Sequence, residues 1–163
     1  MEGKLRNMTS IYILDDNDRM LLLYRMGSKV ISDSYTGTAG GHFEKDELND
    51  AYSCVMRELK EETHLTKEDI SEPKLRYITL KNKNGEIRQN YYFFAKLLNN
   101  KKKIASNEGT LQWFSEEETK DLKMPFTAKY VVKHYISTGK NTDKLYGGIA
   151  VESGVNFTEL LDF

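Results

Sequence analysis

Residues 40–65 read GGHFEKDELNDAYSCVMRELKEETHL, and this stretch decides the fold of the chain. Ala51, Val55 and Leu59 recur every four residues, which predicts one amphipathic helix between Asp50 and Thr63. Two glycines precede the helix at a point where a backbone without side chains can approach a ligand closely. The stretch therefore predicts a glycine bend that leads into an amphipathic helix.

The same stretch carries an excess of acidic side chains. Residues 44–62 contain seven acidic and three basic residues. Glu58, Glu61 and Glu62 are three or four positions apart, so a helix places their carboxylates in one region. Carboxylates at this spacing repel one another unless a cation lies among them. Two interpretations follow: a solvated helix face, or a site for Mg²⁺ or Mn²⁺, which prefer oxygen ligands.

Apolar runs on either side of this stretch predict a sheet made largely of hairpins. The paired runs are 11–14 with 20–24, 74–81 with 87–98 around an Asn84-Gly85 turn, and 145–151 with 155–160. Residues 111–114 form a further short strand, whereas 25–38 read as a polar loop. Hairpins interleaved with two substantial helices predict an α/β fold in which helices cover a mixed sheet.

Two helices are expected in the carboxy-terminal half. Ser115 and Glu118 form a capping-box pattern, which predicts the start of a short helix at this point. A longer helix follows Pro125, and we expect Thr127 to cap its start and Gly139 to end it in the left-handed conformation.

Length and charge exclude several classes of protein. The chain has 163 residues, 24 basic against 25 acidic ones, and a formal charge of −1, so it lacks a large basic surface for duplex nucleic acid. We expect one domain, 1–163. The single cysteine, Cys54, has no internal disulfide partner, which favours a reducing compartment. The apolar runs are strand-sized and the first residues do not resemble a signal peptide, so we expect a cytoplasmic protein without a membrane anchor.

The motif that links the glycine bend and the helix resembles the Nudix box, Gly-x5-Glu-x7-Arg-Glu-U-x-Glu-Glu-x-Gly-U, where U is apolar. Here Gly41-x5-Glu47 is followed by Arg57-Glu58-Leu59-Lys60-Glu61-Glu62-Thr63-His64-Leu65. Nine residues instead of seven separate Glu47 from Arg57, and a loop absorbs such an insertion easily. His64 replaces the glycine and would adopt a positive φ at a cost of roughly 1 kcal/mol. We expect this cost to affect stability and not chemistry.

The resemblance covers most of the chain and implies a fold and an activity. The fold would be a Nudix-type α/β/α sandwich with a mixed central sheet. The activity would be hydrolysis of a nucleoside diphosphate linked to another group X, with Mg²⁺ as cofactor and Mn²⁺ able to replace it. It also implies the residues that hold the metal, namely Gly40 through its carbonyl, Glu58, Glu61 and Glu62. Arg57 and Glu47 would form an orienting ion pair between helix and loop.

Other residues are weaker candidates for the same site. Family members often place an acidic residue on a loop after the sheet, and Glu108 is the candidate for this metal-binding or proton-accepting role. Arg25 and Lys29 are candidates for binding phosphate, because they follow the second strand and carry the right charge. Phe43 and Phe126 are candidates for stacking on a base. An exposed charge or a packed aromatic ring remains the alternative for each residue.

The layout of the carboxy-terminal half is similar to the MutT-like branch that hydrolyses oxidised purine nucleoside triphosphates to a monophosphate and pyrophosphate. That branch tends to keep an Asn in an early loop and paired Asp residues near the later helix, where this chain has residues 35–38 (YTGT) and 126–129 (FTAK). An 8-oxo-dGTP diphosphatase is the most specific expectation. The alternative is a catalytically inactive module on the same fold that senses a nucleotide or binds a protein. The aromatic residues 90–95 either pack in the core or pair across a homodimer.

Overall fold

The backbone forms nine strands and three α-helices within residues 3–26, 33–99 and 102–163, which this computed structural model describes. The strands are β1 (Lys4–Leu14), β2 (Met20–Arg25), β3 (Ser34–Thr36), β4 (Ala39–His42), β5 (Lys74–Lys83), β6 (Glu86–Lys96), β7 (Thr110–Phe114), β8 (Tyr146–Val151) and β9 (Gly154–Glu159). The helices are α1 (Ala51–Thr63), α2 (Glu116–Thr119) and α3 (Phe126–Ser137), and 3₁₀ turns occupy Lys45–Glu47 and Gly139–Asn141.

The nine strands join in one mixed sheet. Its main path runs β3-β2-β1-β6-β5-β8-β9, while β4 pairs with β1 and β7 pairs with β2. The β1–β6 and β5–β8 pairs are parallel, and the other pairs are antiparallel. The mixed α/β sheet expected from the sequence is therefore confirmed.

Each face of the sheet buries its own hydrophobic cluster, because successive residues of a strand point to opposite sides. On one face Val55 and Leu59 of α1 pack with Ile11, Ile13 and other apolar side chains. On the other face α3 packs against a cluster rich in aromatic rings, including Tyr12, Tyr77, Tyr92 and Phe94. The sheet thus lies between α1 and α3, as in the expected α/β/α sandwich.

Local interactions fix both ends of α1. Asp50 caps its start, since the Asp50 carboxylate accepts a hydrogen bond of 2.9 Å from the Ser53 amide. At the other end His64 has φ 60°, and its amide donates to the Lys60 carbonyl. The positive φ expected at His64 is confirmed, and the helix has the bounds that its apolar spacing predicted.

The other elements agree with the sequence apart from five differences. Two of them are that β1 begins at Lys4 and not at residue 11, and that Gly40 and Gly41 lie in strand β4 and not in a bend. All three predicted hairpins form, and the Asn84-Gly85 turn has positive φ at both residues, as a type I′ turn requires. The expected polar loop contains the short strand β3. The Thr127 cap is wrong, because α3 begins at Phe126 with Pro125 as its N-cap. The left-handed end at Gly139 is also wrong, since a 3₁₀ turn continues the chain there.

The aromatic segment of β6 packs within the chain. Tyr92, Phe93, Phe94 and Ala95 are all buried in the two clusters. This is the first of the two arrangements that the sequence left open for residues 90–95. In the described part of the chain, no helix combines the length and the apolar character needed to cross a membrane.

The strained end of α1 gives a stability prediction. His64→Gly should raise the free energy of unfolding by about 0.5–1 kcal/mol, because glycine removes a left-handed penalty of roughly 1–2 kcal/mol and costs part of that in chain entropy. Urea unfolding measures the change. His64 is exposed, so His64→Ala, which keeps a Cβ at the positive φ, is the matched control and should give no gain. Equal stabilisation by both variants would show that the backbone is not strained there.

Candidate active site

An ion pair joins α1 to the loop before it. The Arg57 Nε and Nη2 atoms donate to the two Glu47 carboxylate oxygens at 2.6 Å and 2.9 Å. Glu47 is buried, and its Oε2 also accepts from the Glu44 amide at 3.0 Å. Hydrogen bonds from Arg57 lower the pKa of Glu47 to about 2. The loop is two residues longer than in the Nudix box, and this insertion does not prevent Arg57 and Glu47 from forming an ion pair.

Arg57 also contacts two of the three carboxylates of the acidic helix. Its Nη1 donates to Glu58 Oε1 at 2.9 Å and to Glu61 Oε2 at 3.1 Å. Its Nη2 donates to the His42 carbonyl at 3.0 Å, at the end of β4. One guanidinium thus holds β4, the loop and the acidic side chains of α1 in a fixed arrangement.

The glycines of β4 leave room for this arrangement. β4 pairs with β1 such that Gly40 lies opposite Ser10 and Gly41 lies opposite Thr9. A Cβ atom at Gly41 would collide with the Glu58 carboxylate, and one at Gly40 would collide with the Thr9 carbonyl. Because neither position has space for a side chain, β4 brings bare backbone up to the acidic helix.

Glu62 differs from the other two carboxylates because it is buried and only partly paired. Its side chain is 9% exposed, and Arg25 Nη2 lies 3.6 Å from its Oε1. Among the described residues the buried Oε2 atom has no hydrogen-bond partner, while a backbone hydrogen bond from Gly40 to the carboxylate acts to lower the pKa of Glu62. Burial raises the pKa of Glu62 to about 7, although the charge of Arg25 opposes the rise. A buried carboxylate with a free oxygen is unfavourable unless something positive binds it.

The loop that carries Glu108 docks on the end of α1. The Asn107 amide donates to the Glu62 carbonyl at 3.2 Å, and the Asn107 side chain donates to the Glu61 carbonyl at 3.1 Å. Glu108 is exposed, and its negative charge contributes to the raised pKa of Glu62. The structure therefore brings Glu108 to the acidic helix. No sequence pattern pointed to Asn107, because its role depends on a contact between segments that are distant along the chain.

The four predicted substrate-binding residues have different locations. Arg25 lies against Glu62, as described above. Phe43 packs on Tyr91, with ring centroids 5.4 Å apart, on the α1 face of the sheet. Phe126 starts α3 on the opposite face, so the structure does not bring the two rings together. Lys29 lies outside the described residues.

A divalent cation fits the chemistry of this site. The available donors are carboxylate oxygens and backbone carbonyls, which are the ligands that Mg²⁺ and Mn²⁺ prefer. The unpartnered Glu62 oxygen also favours a cation at this site, because a cation would compensate the negative charge of the carboxylate. Among the described residues, no three carboxylate, imidazole or thiol side chains are already gathered as a metal site. Glu58 and Glu61 instead each contact Arg57 through one oxygen.

The Glu47–Arg57 pair gives a prediction for the pH dependence of stability. Glu47 has a lower pKa in the folded chain than the ordinary 4.5, so its stabilisation is complete above pH 4.5 and is lost as the pH falls towards 2. Glu47→Gln should therefore reduce the free energy of unfolding at pH 6, and the difference from the wild type should shrink as the pH falls to 3. Urea unfolding at several pH values measures it. A difference independent of pH would contradict the role of the charge.

Comparison with known proteins assigns the chain to a family. The family model described as the NUDIX domain matches residues 4–135. A search of curated protein sequences finds no significant match.

Solved structures share the fold at low sequence identity. A MutT protein from Bacillus halodurans has a TM-score of 0.66 and 22% identity, over 93% of this chain and 97% of that one. A MutT protein from Methanosarcina mazei has a TM-score of 0.70 and 17% identity, over 86% and 99%. An Ap4A hydrolase from C. elegans, solved as a binary complex, has a TM-score of 0.66 and 17% identity, over 84% and 99%. These likenesses concern the fold, while the domain match extends over most of the chain and includes the glycines of β4 and the acidic helix α1. The chain belongs to the Nudix family.

Proposed function

We propose that the chain is a metal-dependent pyrophosphohydrolase that cleaves a nucleoside diphosphate linked to a group X. The observation that carries the proposal is the buried, unpartnered oxygen of Glu62 beside the glycine strand, in a chain of this family. Glu58, Glu61, Glu62 and the Gly40 carbonyl would hold the metal, which is Mg²⁺ by preference and Mn²⁺ as a substitute. Glu108, near Glu62, would be a further ligand or proton acceptor.

The reaction is hydrolysis of a phosphoanhydride bond. Water attacks one phosphorus atom of the diphosphate, the bridging P–O bond breaks, and the proton of the water passes to a basic group. When bound, the cation neutralises phosphate oxygens and lowers the pKa of the attacking water. Arg57 keeps the carboxylates and β4 in position, and Arg25 lies where its guanidinium would donate hydrogen bonds to a phosphate oxygen. A nucleoside triphosphate would give a monophosphate and pyrophosphate.

An oxidised purine nucleoside triphosphate is the specific substrate that the sequence resemblance favours. The neighbouring folds include proteins named MutT and one named Ap4A hydrolase, so they support a phosphoanhydride substrate of the nucleotide type without selecting one. A substrate panel should therefore contain dGTP and 8-oxo-dGTP side by side, with a dinucleoside polyphosphate and a nucleotide sugar. Faster turnover of 8-oxo-dGTP than of dGTP would support the oxidised purine.

Removing the charge of the acidic helix tests the catalytic proposal. Glu61→Gln and Glu62→Gln should each lower kcat on the best substrate by about 100-fold or more, because each variant removes a proposed metal ligand while repulsion between carboxylates is relieved. Glu62→Gln should fold with unchanged or higher thermal stability. Phosphate release assays with Mg²⁺ and melting curves measure the two effects.

The control for these variants is Glu68→Gln, which changes an exposed carboxylate after the helix and should leave both quantities unchanged. Full activity of a Glu61→Gln, Glu62→Gln double variant would contradict the assigned roles. If the wild-type chain is stabilised by nucleotides but releases no product from any substrate with Mg²⁺ or Mn²⁺, the chain is instead an inactive nucleotide-sensing module.

A further inference from the structure

The face of the sheet opposite α1 carries a basic cleft of about 360 Å³ between β1, β5, β6 and the start of α3. Five of its lining residues are basic and, among the described residues, none of the lining side chains is acidic. The basic residues are Arg6, Lys81, Lys83, Arg88 and Lys123. This concentration of positive charge contrasts with the net charge of −1 for the whole chain.

Most of the positive charge in the basic cleft is not compensated. Arg6 and Arg88 share one carboxylate, that of Glu86, at 3.9 Å and 2.8 Å. The three lysines form no ion pair with any carboxylate in the described ranges, and Lys81 places its Nζ 4.8 Å from the centre of the Phe126 ring. Gathering like charges in a concave site is unfavourable, and an anion bound among them would remove that cost.

Unsatisfied polar groups line the same cleft. Ser34 is 4% exposed, and in the part of the chain that the structure describes neither its Oγ nor the buried Nε of Arg6 has a hydrogen-bond partner. The helix α3 starts at the cleft with Pro125 as N-cap, so no side chain caps its first amides. The start of a helix carries a partial positive charge and free N–H groups. Each of these groups is a donor, which is the chemistry that phosphate oxygens require.

The basic cleft adjoins the candidate active site. Arg6 contacts the His42 ring at 2.8 Å, and the His42 carbonyl accepts from Arg57. On the other side Ser34 pairs with Arg25, which contacts Glu62. A substrate whose diphosphate lies at α1 would therefore extend its remaining part towards the basic cleft.

We propose that the basic cleft binds a further phosphate group of the substrate, so that X or the nucleoside carries phosphate beyond the bond that is hydrolysed. This inference rests on the proposed function. An uncharged purine would leave the cations uncompensated, and none of the described lining residues is a carboxylate that could accept hydrogen bonds from the N–H groups of the purine. One face of Phe126 is already covered by Lys81, which leaves less of the ring for stacking on a base.

Pairs of substrates that differ by phosphate alone test the inference. Hydrolysis with Mg²⁺ should show a kcat/KM at least ten times higher for NADPH than for NADH, or for coenzyme A than for dephospho-coenzyme A. A comparison of kcat/KM for diadenosine tetraphosphate and diadenosine diphosphate tests whether the additional phosphate belongs to the polyphosphate between the nucleosides and not to a sugar. Equal kcat/KM values within all three pairs would overturn the inference and leave the proposed function intact.

Variants identify the residues responsible. In the Lys81→Gln, Lys123→Gln double variant the ratio of the two kcat/KM values within each substrate pair should fall close to 1. The kcat/KM of the substrate that lacks the extra phosphate should change little. Lys133→Gln, an exposed lysine of α3 outside the cleft, is the matched control and should keep the preference. Melting curves confirm that the variants fold. A preference that survives in the double variant would overturn the assignment to this cleft.

A binding measurement separates this inference from the proposed function. Calorimetry without metal should show tighter binding of adenosine 3′,5′-bisphosphate than of adenosine 5′-monophosphate, with a difference that decreases at high salt and in the double variant. If this preference is found although no substrate is hydrolysed, the basic cleft is supported and the proposed function fails. If the two ligands bind equally, the inference is overturned.

Discussion

The hydrogen bonds of Arg57 are the interaction on which the rest of the candidate site depends. One planar guanidinium contacts the Glu47 carboxylate, two carboxylates of α1 and the carbonyl that ends β4. A lysine could not reproduce this set, because a single ammonium does not present donors in a rigid plane. Since the partners come from a loop, a helix and a strand, the same residue fixes the relative position of all three. The acidic side chains can then lie close together without separating the elements that carry them.

The sequence predicted elements whose signals are local. The α1 bounds followed from a four-residue apolar repeat, and the β5–β6 turn followed from Asn84-Gly85. The helix expected after Pro125 begins there, at Phe126, but the Thr127 cap was wrong because proline, with its fixed φ, occupies the boundary. β3 was read as loop because its three residues are too few for a periodic pattern.

The candidate site was predictable where its residues belong to one motif and not elsewhere. Gly40, Arg57 and the three carboxylates lie within a short stretch that resembles the Nudix box, and this resemblance supplied their expected roles. The neighbourhood of Glu62 depends on Arg25 and Asn107, which come from distant segments. The basic cleft was the hardest feature to predict, because its five cations are spread along the chain from β1 to the loop before α3. The chain has nearly balanced charge, and no run of basic residues marks these five positions. Sheet register, and not sequence proximity, brings them together.

The sheet also separates two kinds of electrostatic environment. The acidic helix packs on one face, while the cations of the basic cleft lie on the other and meet it near β4 and Arg6. A ligand that spans this junction contacts positive groups at one end and carboxylates at the other. Under the proposed function, a cation bound at the carboxylates would make the binding of an anionic substrate more favourable, and we would then expect metal and substrate to bind cooperatively.

The parallel pairing of β1 with β6 has a consequence for synthesis of the chain. β1 hydrogen-bonds along its whole length to β6, from Lys4 opposite Glu86 to Leu14 opposite Lys96. On a ribosome β1 therefore emerges long before its central partner, and the sheet cannot close until β5 and β6 have followed. During that interval β1 can pair with β2 and β4 and pack against α1, while its edge towards β6 stays unpaired. The central contact of the sheet therefore joins strands whose paired residues, such as Lys4 and Glu86, lie 82 positions apart in the sequence.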